Sequence, residues 1–381
     1  MTPKKKIIVS VTNDLFTDQR VRKVCEFLVA NNFDVTLVGR KLKHSQTMPE
    51  LPYKTKRFRL WFTKGPLFYA TYNLRLFFYL LFHKADVLLS NDLDTLYANH
   101  WARKFKRNCT LVYDSHEYYC ETPELVDRPK IQRFWRRIEK RCVPKVDIMY
   151  TVNESIAKLY REEYQREVFV VRNISDRKDI PLTKTRADLG LPENKKVVIM
   201  QGAGINIQRG AEEMVEAIPF VDNAVLAVVG DGDVVPQLKH KVQEQGLGDK
   251  VLFFGKRPYD ELLQFTMNAD VGVSMDKDTN INYRFALGNK IFDYIHSGIP
   301  LFVSDLPEIA GIVRKYELGV VCPSHDPDVI ATKLNELFLN HDIYNHYKEN
   351  TKAAAKELTW NNEKKMLRMI YIDLLQNFQP S

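Results

Sequence analysis

Twice along the chain, short apolar runs alternate with amphipathic helical patterns, and this alternation restricts the fold more than any other feature. In the first half the runs are Lys6–Thr12, Asp34–Val38, Val87–Ser90, Thr110–Tyr113, Ile148–Val152 and Val168–Val171. In the second half they are Val197–Met200, Ala224–Val229, Val251–Phe254, Val271–Met275, Pro300–Val303 and Leu318–Val321. Helical stripes lie between them, as in Arg209–Val221, where Ala211, Met214, Val215 and Ile218 fall on one side. Runs this short, apolar throughout and separated by helices, predict an α/β protein with parallel sheets covered on both faces. A length of 381 residues suffices for two such cores. The polar stretch Asn173–Thr185, with Pro181 inside it, marks the junction. The expected domains are therefore residues 1–175 and 176–358, followed by a tail, 359–381, whose helix Asn361–Phe378 begins after a break at Thr359–Trp360.

Most of the expected strands run straight into polar or glycine residues. Asn13-Asp14, Asn91-Asp92, Asp114-Ser115-His116-Glu117, Gln201-Gly202, Gly230-Asp231-Gly232 and Asp276 all stand at such ends. In open α/β sheets ligands bind outside the carboxyl ends of the strands. Two such rims facing each other would form one cleft.

The segment Leu287–Ser304 carries the most chemistry. Gly288 precedes a helix in which Ile291, Phe292 and Ile295 share one side; Gly298 stands where a C-cap glycine belongs, and Pro300 opens the next strand. Asn289, Lys290 and Asp293 are neighbours at the start of that helix. A helix start with free N–H groups and a lysine suits a phosphate, and a carboxylate one turn later suits a sugar hydroxyl.

This segment resembles the donor-binding signature of retaining glycosyltransferases with the GT-B fold, in the family 4-like group that builds bacterial cell-surface glycans. Gly288 and Asp293 stand at its glycine and second acid, and Ser297-Gly298-Ile299-Pro300 matches its trailing part. Phe285 stands where the signature has its first glutamate, as in a subgroup with an Asn-Lys-x-Phe-acid-Tyr form. The resemblance implies two Rossmann-like domains across a cleft, with a C-terminal helix crossing back to the first domain. It also implies a nucleotide-sugar donor on the second domain, an acceptor on the first, and transfer with retention, without a metal or other cofactor.

Other residues take roles from the same comparison. In QGAGINIQRG the turn at Gly202 and Gly204 leads to Arg209, which stands at the family's diphosphate-holding cation; Gly204 replaces a second arginine found in many members. Lys290 joins Arg209 there, with Gly288, Asn289 and Asp293 completing the donor side. Lys256 and Arg257, in the turn after Val251–Phe254, match the position whose backbone meets the base. On the acceptor side, His116, between Asp114 and Glu117, matches a histidine near the transferred sugar. Asn13 and Asp14 stand where the family often has a glycine pair. His116, Arg209 and Lys290 are thus the expected catalytic residues.

Charge divides the chain unevenly. Residues 1–175 hold 32 of the 56 lysines and arginines but 19 of the 48 acids, so the first half carries +13 and the rest −5. Such a field marks a large anionic partner. The aromatic run Leu67–Phe82 carries Asn73 and Arg75 and is too short to span a bilayer. It reads either as a core helix or, with Lys54, Lys56, Arg57, Arg59 and Lys64, as a basic–aromatic patch for an anionic membrane. No nucleic-acid recognition motif accompanies the charge. The opening apolar run, Ile7–Val11, is too short for a signal peptide, and five cysteines without Cys-x-x-Cys spacing fit a reduced, cytoplasmic setting. Three Asp-x-Asp pairs, at Asp92, Asp231 and Asp276, read as turn residues, so no metal is expected. Besides transfer to a glycan or lipid-linked acceptor, three rivals stay open: a sugar-nucleotide epimerase on the same fold, a nicotinamide-dependent dehydrogenase lacking the usual glycine fingerprint, and a non-catalytic glycan- or nucleotide-binding protein.

Overall fold

The computed structural model describes residues 4–16, 18–175 and 180–374. The chain divides into two compact units, Met1–Arg172 with Glu363–Ser381, and Asn173–Asn362.

The first unit is built on strands β1 (Lys6–Asp14), β2 (Asp34–Lys41), β3 (Lys54–Arg59), β4 (Val87–Asn91), β5 (Thr110–Ser115), β6 (Ile148–Thr151) and β7 (Phe169–Val170). They pair in the order β3-β2-β1-β4-β5-β6-β7, all parallel. β4 and β5 are buried at every position, as strands covered on both faces must be. β3 corrects the sequence reading, which assigned Lys54–Arg59 to a basic patch only. Phe58 is its one buried residue, and the exposed lysines suit an edge that must not recruit another strand.

The second unit carries β8 (Lys196–Gly202), β9 (Ala224–Gly230), β10 (Val251–Phe253), β11 (Val271–Ser274), β12 (Leu301–Ser304) and β13 (Gly319–Cys322). Their order is β10-β9-β8-β11-β12-β13, again parallel throughout. Side chains alternate across the sheet. Val198 and Met200 pack with Met214 and Leu226 on one face, and Val197 and Ile199 with Ile291 and Ile295 on the other. In each sheet the strand order reverses once, between β1 and β4 and between β8 and β11. Such switch points leave a crevice at the carboxyl ends.

The helix Gly65–Phe82 buries one face in the first unit, as the core-helix reading expects. Phe68, Tyr72, Leu76 and Leu80 recur at four-residue spacing and are buried, while Leu67, Leu74, Phe78 and Phe82 stay exposed. Among the described residues, no helix is long and apolar enough to cross a membrane. The helix Trp360–Arg368 runs on into π-helical turns at Met369–Leu374. It is anchored to the first unit by Glu363, which accepts from the Arg172 backbone N–H (2.8 Å) and guanidinium (2.6 Å). Tyr371 and Tyr150 share a hydroxyl–hydroxyl hydrogen bond of 3.1 Å. The last residues of the expected helix, 375–378, lie outside the described residues, as do 176–179 of the junction.

Candidate active site

In the second unit, the switch point gathers three segments that are far apart in sequence. β8 ends at Gly202, and Gly204 follows in a loop that leads to Arg209 and the helix Ala211–Ala217. Gly210 sits at φ +78°, where a Cβ would lie 2.2 Å from the Met275 carbonyl oxygen, so the chain passes tightly over the end of β11. That approach delivers the Arg209 guanidinium to Asp276, Nη1 to Oδ1 at 3.1 Å, and stacks it 4.1 Å above the Tyr283 ring. Lys290, in the first turn of the helix Asn289–Ser297, reaches the other oxygen of Asp276 at 3.9 Å. Asp276 is buried and also accepts from the Ser274 hydroxyl. Two cations thus share one carboxylate and leave net positive charge.

Burial pulls the Lys290 ammonium down from its ordinary value, Asp276 restores part of it, and Arg209 lowers it further. A bound anion would reverse that strain. The Gly288 N-cap supplies no side-chain hydrogen bond, so the helix start offers its N–H groups outward. Asn289, half-buried, is next to it. Asp293 lies one turn along but is buried, and both its oxygens are engaged: Oδ1 by the Tyr259 hydroxyl (2.8 Å) and Oδ2 by the Gln201 amide (3.1 Å). Lys256 and Arg257 are exposed in the turn after β10; Arg257 donates to the Phe254 carbonyl.

In the first unit, the switch point centres on His116, just past β5. Its Nδ1 lies 3.1 Å from Asp92 Oδ2 and its Nε2 3.3 Å from Asp114 Oδ2. Burial disfavours the charged ring, yet the two aspartates outweigh it and hold the imidazolium well above the ordinary histidine range. A ring held protonated acts as a cationic donor. Asp114 is fixed from below by buried Arg20, whose Nε and Nη2 reach its two oxygens at 3.0 and 2.7 Å. Although burial opposes it, this bidentate pair and His116 draw the Asp114 carboxyl to about 2.

Asp92 adopts φ +57°, ψ +166°, a region otherwise nearly confined to glycine and costing about 1–3 kcal/mol. The strain aims its carboxylate at the His116 ring and backbone N–H. Asp94, buried and accepting from the Thr12 hydroxyl, is raised to about 7 by burial and by Asp92. Glu117 is raised to about 8 by the same two causes. Asn13 donates to Asp18 at 3.4 Å and is exposed; Asp14 is turned toward Arg57 and Ser45.

The structure therefore brings Arg209 and Lys290 together, and His116 with Asp114. It keeps Asp14 with partners of its own, and Asp293 inside the fold. Sequence reasoning overlooked Arg20, Asp92, Asp94 and Asp276 as site residues. The one available signal was that three of the four flank strand ends. Asp276 joins the two cations, Asp278 pairs with Arg284, and Asp233 accepts from the Ile207 N–H, so these members of the Asp-x-Asp pairs bind protein groups.

A groove of about 1390 Å³ extends from this rim within the first unit. Asp92, Asp94 and Glu117 line it, and so do Leu74, Trp101 and Phe134 from the helices Gly65–Phe82, Leu93–Arg103 and Pro129–Cys142.

Two doubly wound units, each with a polar site at its switch point, define the GT-B architecture. Known proteins agree. The family described as glycosyl transferases group 1 matches residues 182–354, and glycosyltransferase family 4 matches residues 18–177. An uncharacterized glycosyltransferase of Methanocaldococcus jannaschii is 24% identical over 190 residues, 49% of this chain and 47% of that protein. The chain thus spans about half the length of this curated relative. Sucrose-phosphate synthase from Thermosynechococcus elongatus superposes with a TM-score of 0.79, covering 98% of this chain and 100% of that one at 18% identity. Anabaena HepE in complex with UDP-glucose gives 0.73, with 98% and 100% covered at 14% identity. The chain has the GT-B fold, and its two halves match the models of glycosyltransferase family 4 and of glycosyl transferases group 1.

Proposed function

We propose that the chain moves a hexose-type sugar from a UDP- or GDP-linked donor to a glycan or lipid-linked acceptor, with retention and without a metal. The observation that carries this reading is the convergence of Arg209 and Lys290 on Asp276 beside an uncapped helix start. Breaking the bond between sugar and diphosphate leaves negative charge on a phosphate oxygen. Two cations and roughly half a positive charge from the helix dipole stand ready for it. Removing one such donor typically costs about 3–4 kcal/mol of transition-state stabilisation. Front-face attack then lets the leaving diphosphate accept the proton of the incoming hydroxyl, so no enzyme nucleophile is required. In the first unit, the His116 imidazolium and the carboxyls of Asp94 and Glu117 offer donors and acceptors for the acceptor's hydroxyls.

The expected seat is the cytoplasmic face of a membrane, touched peripherally. The basic first half and the exposed Trp61 and Phe82 support it. A sugar-nucleotide epimerase is the second reading, favoured by the two near-neutral carboxyls, Asp94 and Glu117.

The test is a thermal-shift screen against UDP-, GDP-, ADP- and TDP-sugars, with NAD as control, repeated on Arg209→Ala. Stabilisation by one sugar-nucleotide class, lost in the variant, is expected. Stabilisation by NAD alone, or by nothing, overturns the reading. Conversion of the sugar nucleotide to its epimer without any acceptor would favour the second reading.

A further inference from the structure

A site that holds phosphate has no obvious need of a carboxylate, yet Asp276 sits between its two cations. The side chain is buried and tied from three segments: Arg209 Nη1 at 3.1 Å, Lys290 Nζ at 3.9 Å and the Ser274 hydroxyl at 3.2 Å. Its backbone is held as well. His325 Nε2 faces the Met275 and Asp276 carbonyl oxygens at 3.1 and 3.3 Å, and Gly210 passes tightly over Met275. Asp276 is therefore a fixed charge that an arriving anion cannot push aside.

The charged residues next to it cancel in pairs, Lys277 with Glu213 and Asp278 with Arg284. What remains is Arg209, Lys290 and Asp276, a sum of +1. The start of the helix Asn289–Ser297 adds roughly half a charge, for a total of about +1.5. A sugar-linked diphosphate carries two negative charges. When the bond from sugar to phosphate breaks, the phosphate oxygen keeps the bonding pair and takes the proton of the incoming hydroxyl. Above about pH 6 that proton passes on to solvent, so the product carries three charges. With Asp276 in place the site suits the donor better than the product. Without it the site would stand near +2.5, by the same sum with roughly half a charge from the helix, and would hold the product hardest.

We infer that Asp276 is a specificity-determining residue for product release: its fixed negative charge repels the nucleoside diphosphate left by transfer more than the donor that brought it. The identity of these two ligands rests on the glycosyltransferase reading. An anion on both cations lies within about 7 Å of the Asp276 carboxylate, one hydrogen bond beyond the ion pairs. At that separation one unit of charge changes binding by about tenfold after solvent screening.

The experiment titrates the full chain by calorimetry at pH 8 with UDP and GDP, and with each of them methylated on its terminal phosphate. The methyl ester carries the donor's two charges and no sugar, so the comparison isolates the third charge. The wild type should bind diphosphate and ester within about fivefold of each other. In Asp276→Asn the preference for the diphosphate should rise at least about tenfold. A rise under threefold overturns the inference, since equal changes for both ligands would mean that Asp276 merely positions the cations. A wild type that already prefers the diphosphate by more than fivefold overturns it too, and that arm holds even if Asp276→Asn fails to fold. Arg209→Ala separates the two levels. Binding lost in that variant, with no change of preference in Asp276→Asn, overturns the role of Asp276 alone. Binding that survives in it, or no binding to the wild type, overturns the donor site and the inference together.

Discussion

At the scale of the residue, the first unit stores its chemistry as displaced protons. Asp94 and Glu117 are held at about 7 and about 8, chiefly by burial, so folding takes up protons on both. Their penalty is absent at pH 4 and grows as pH rises from about 4 to about 8. His116, raised by its two aspartates, adds stability that is full below its ordinary value and fades as pH climbs through the raised one. Asp114, lowered to about 2, works the other way and withdraws its contribution only as pH falls below about 4. Melting temperature should therefore decline from pH 5 to pH 8. Asp94→Asn should match the wild type at pH 4 and exceed it at pH 8 by on the order of 3 kcal/mol, read from denaturant midpoints. Asp276 makes a second case. Asp276→Asn leaves two cations, one of them the half-buried Lys290, without their shared counter-charge. A loss of about 3–5 kcal/mol is expected, much of it recovered when pyrophosphate is added.

At the scale of the element, backbone contact decides which glycines matter. A Cβ on Gly230 would lie 1.8 Å from the Gly202 carbonyl oxygen at φ +155°, whereas one on Gly204 meets nothing closer than 3.9 Å. Gly230→Ala should cost more than about 3 kcal/mol in chemical denaturation, and Gly204→Ala less than about 0.5. Strands were legible in the sequence wherever both faces are buried, because a run such as Val87–Leu89 has no polar position to blur it. β3 was not, since a single buried phenylalanine among lysines and arginines gives no period to read. The site divides the same way. Arg209, Lys290 and His116 sit beside strand ends or a helix start, where local pattern points. Arg20 sits in the first turn of the helix Gln19–Ala30 but meets its partner Asp114 only ninety-four positions later, and the strained backbone of Asp92 leaves no mark on composition. Pairings across the fold are absent from any local window.

At the scale of the whole molecule, charge and connectivity each have a consequence. The +13 of the first half predicts that binding to anionic vesicles falls steeply between about 50 and 500 mM salt, as the Debye length shrinks; sedimentation would read it. Connectivity matters because the first unit is interrupted: the chain leaves it at Arg172 and returns at Glu363. Truncation after Asn362 removes the partner of the Arg172 guanidinium and N–H, and Tyr371 with it. Limited proteolysis should then cut residues 1–172 readily and spare 173–362. During synthesis the same geometry imposes an order. The second unit emerges whole and can fold as soon as it clears the ribosome, while the first, begun earlier, must wait for the residues from Glu363 onward. Of these two units the one begun first is completed second, and until then its basic, aromatic surface is a client for chaperones.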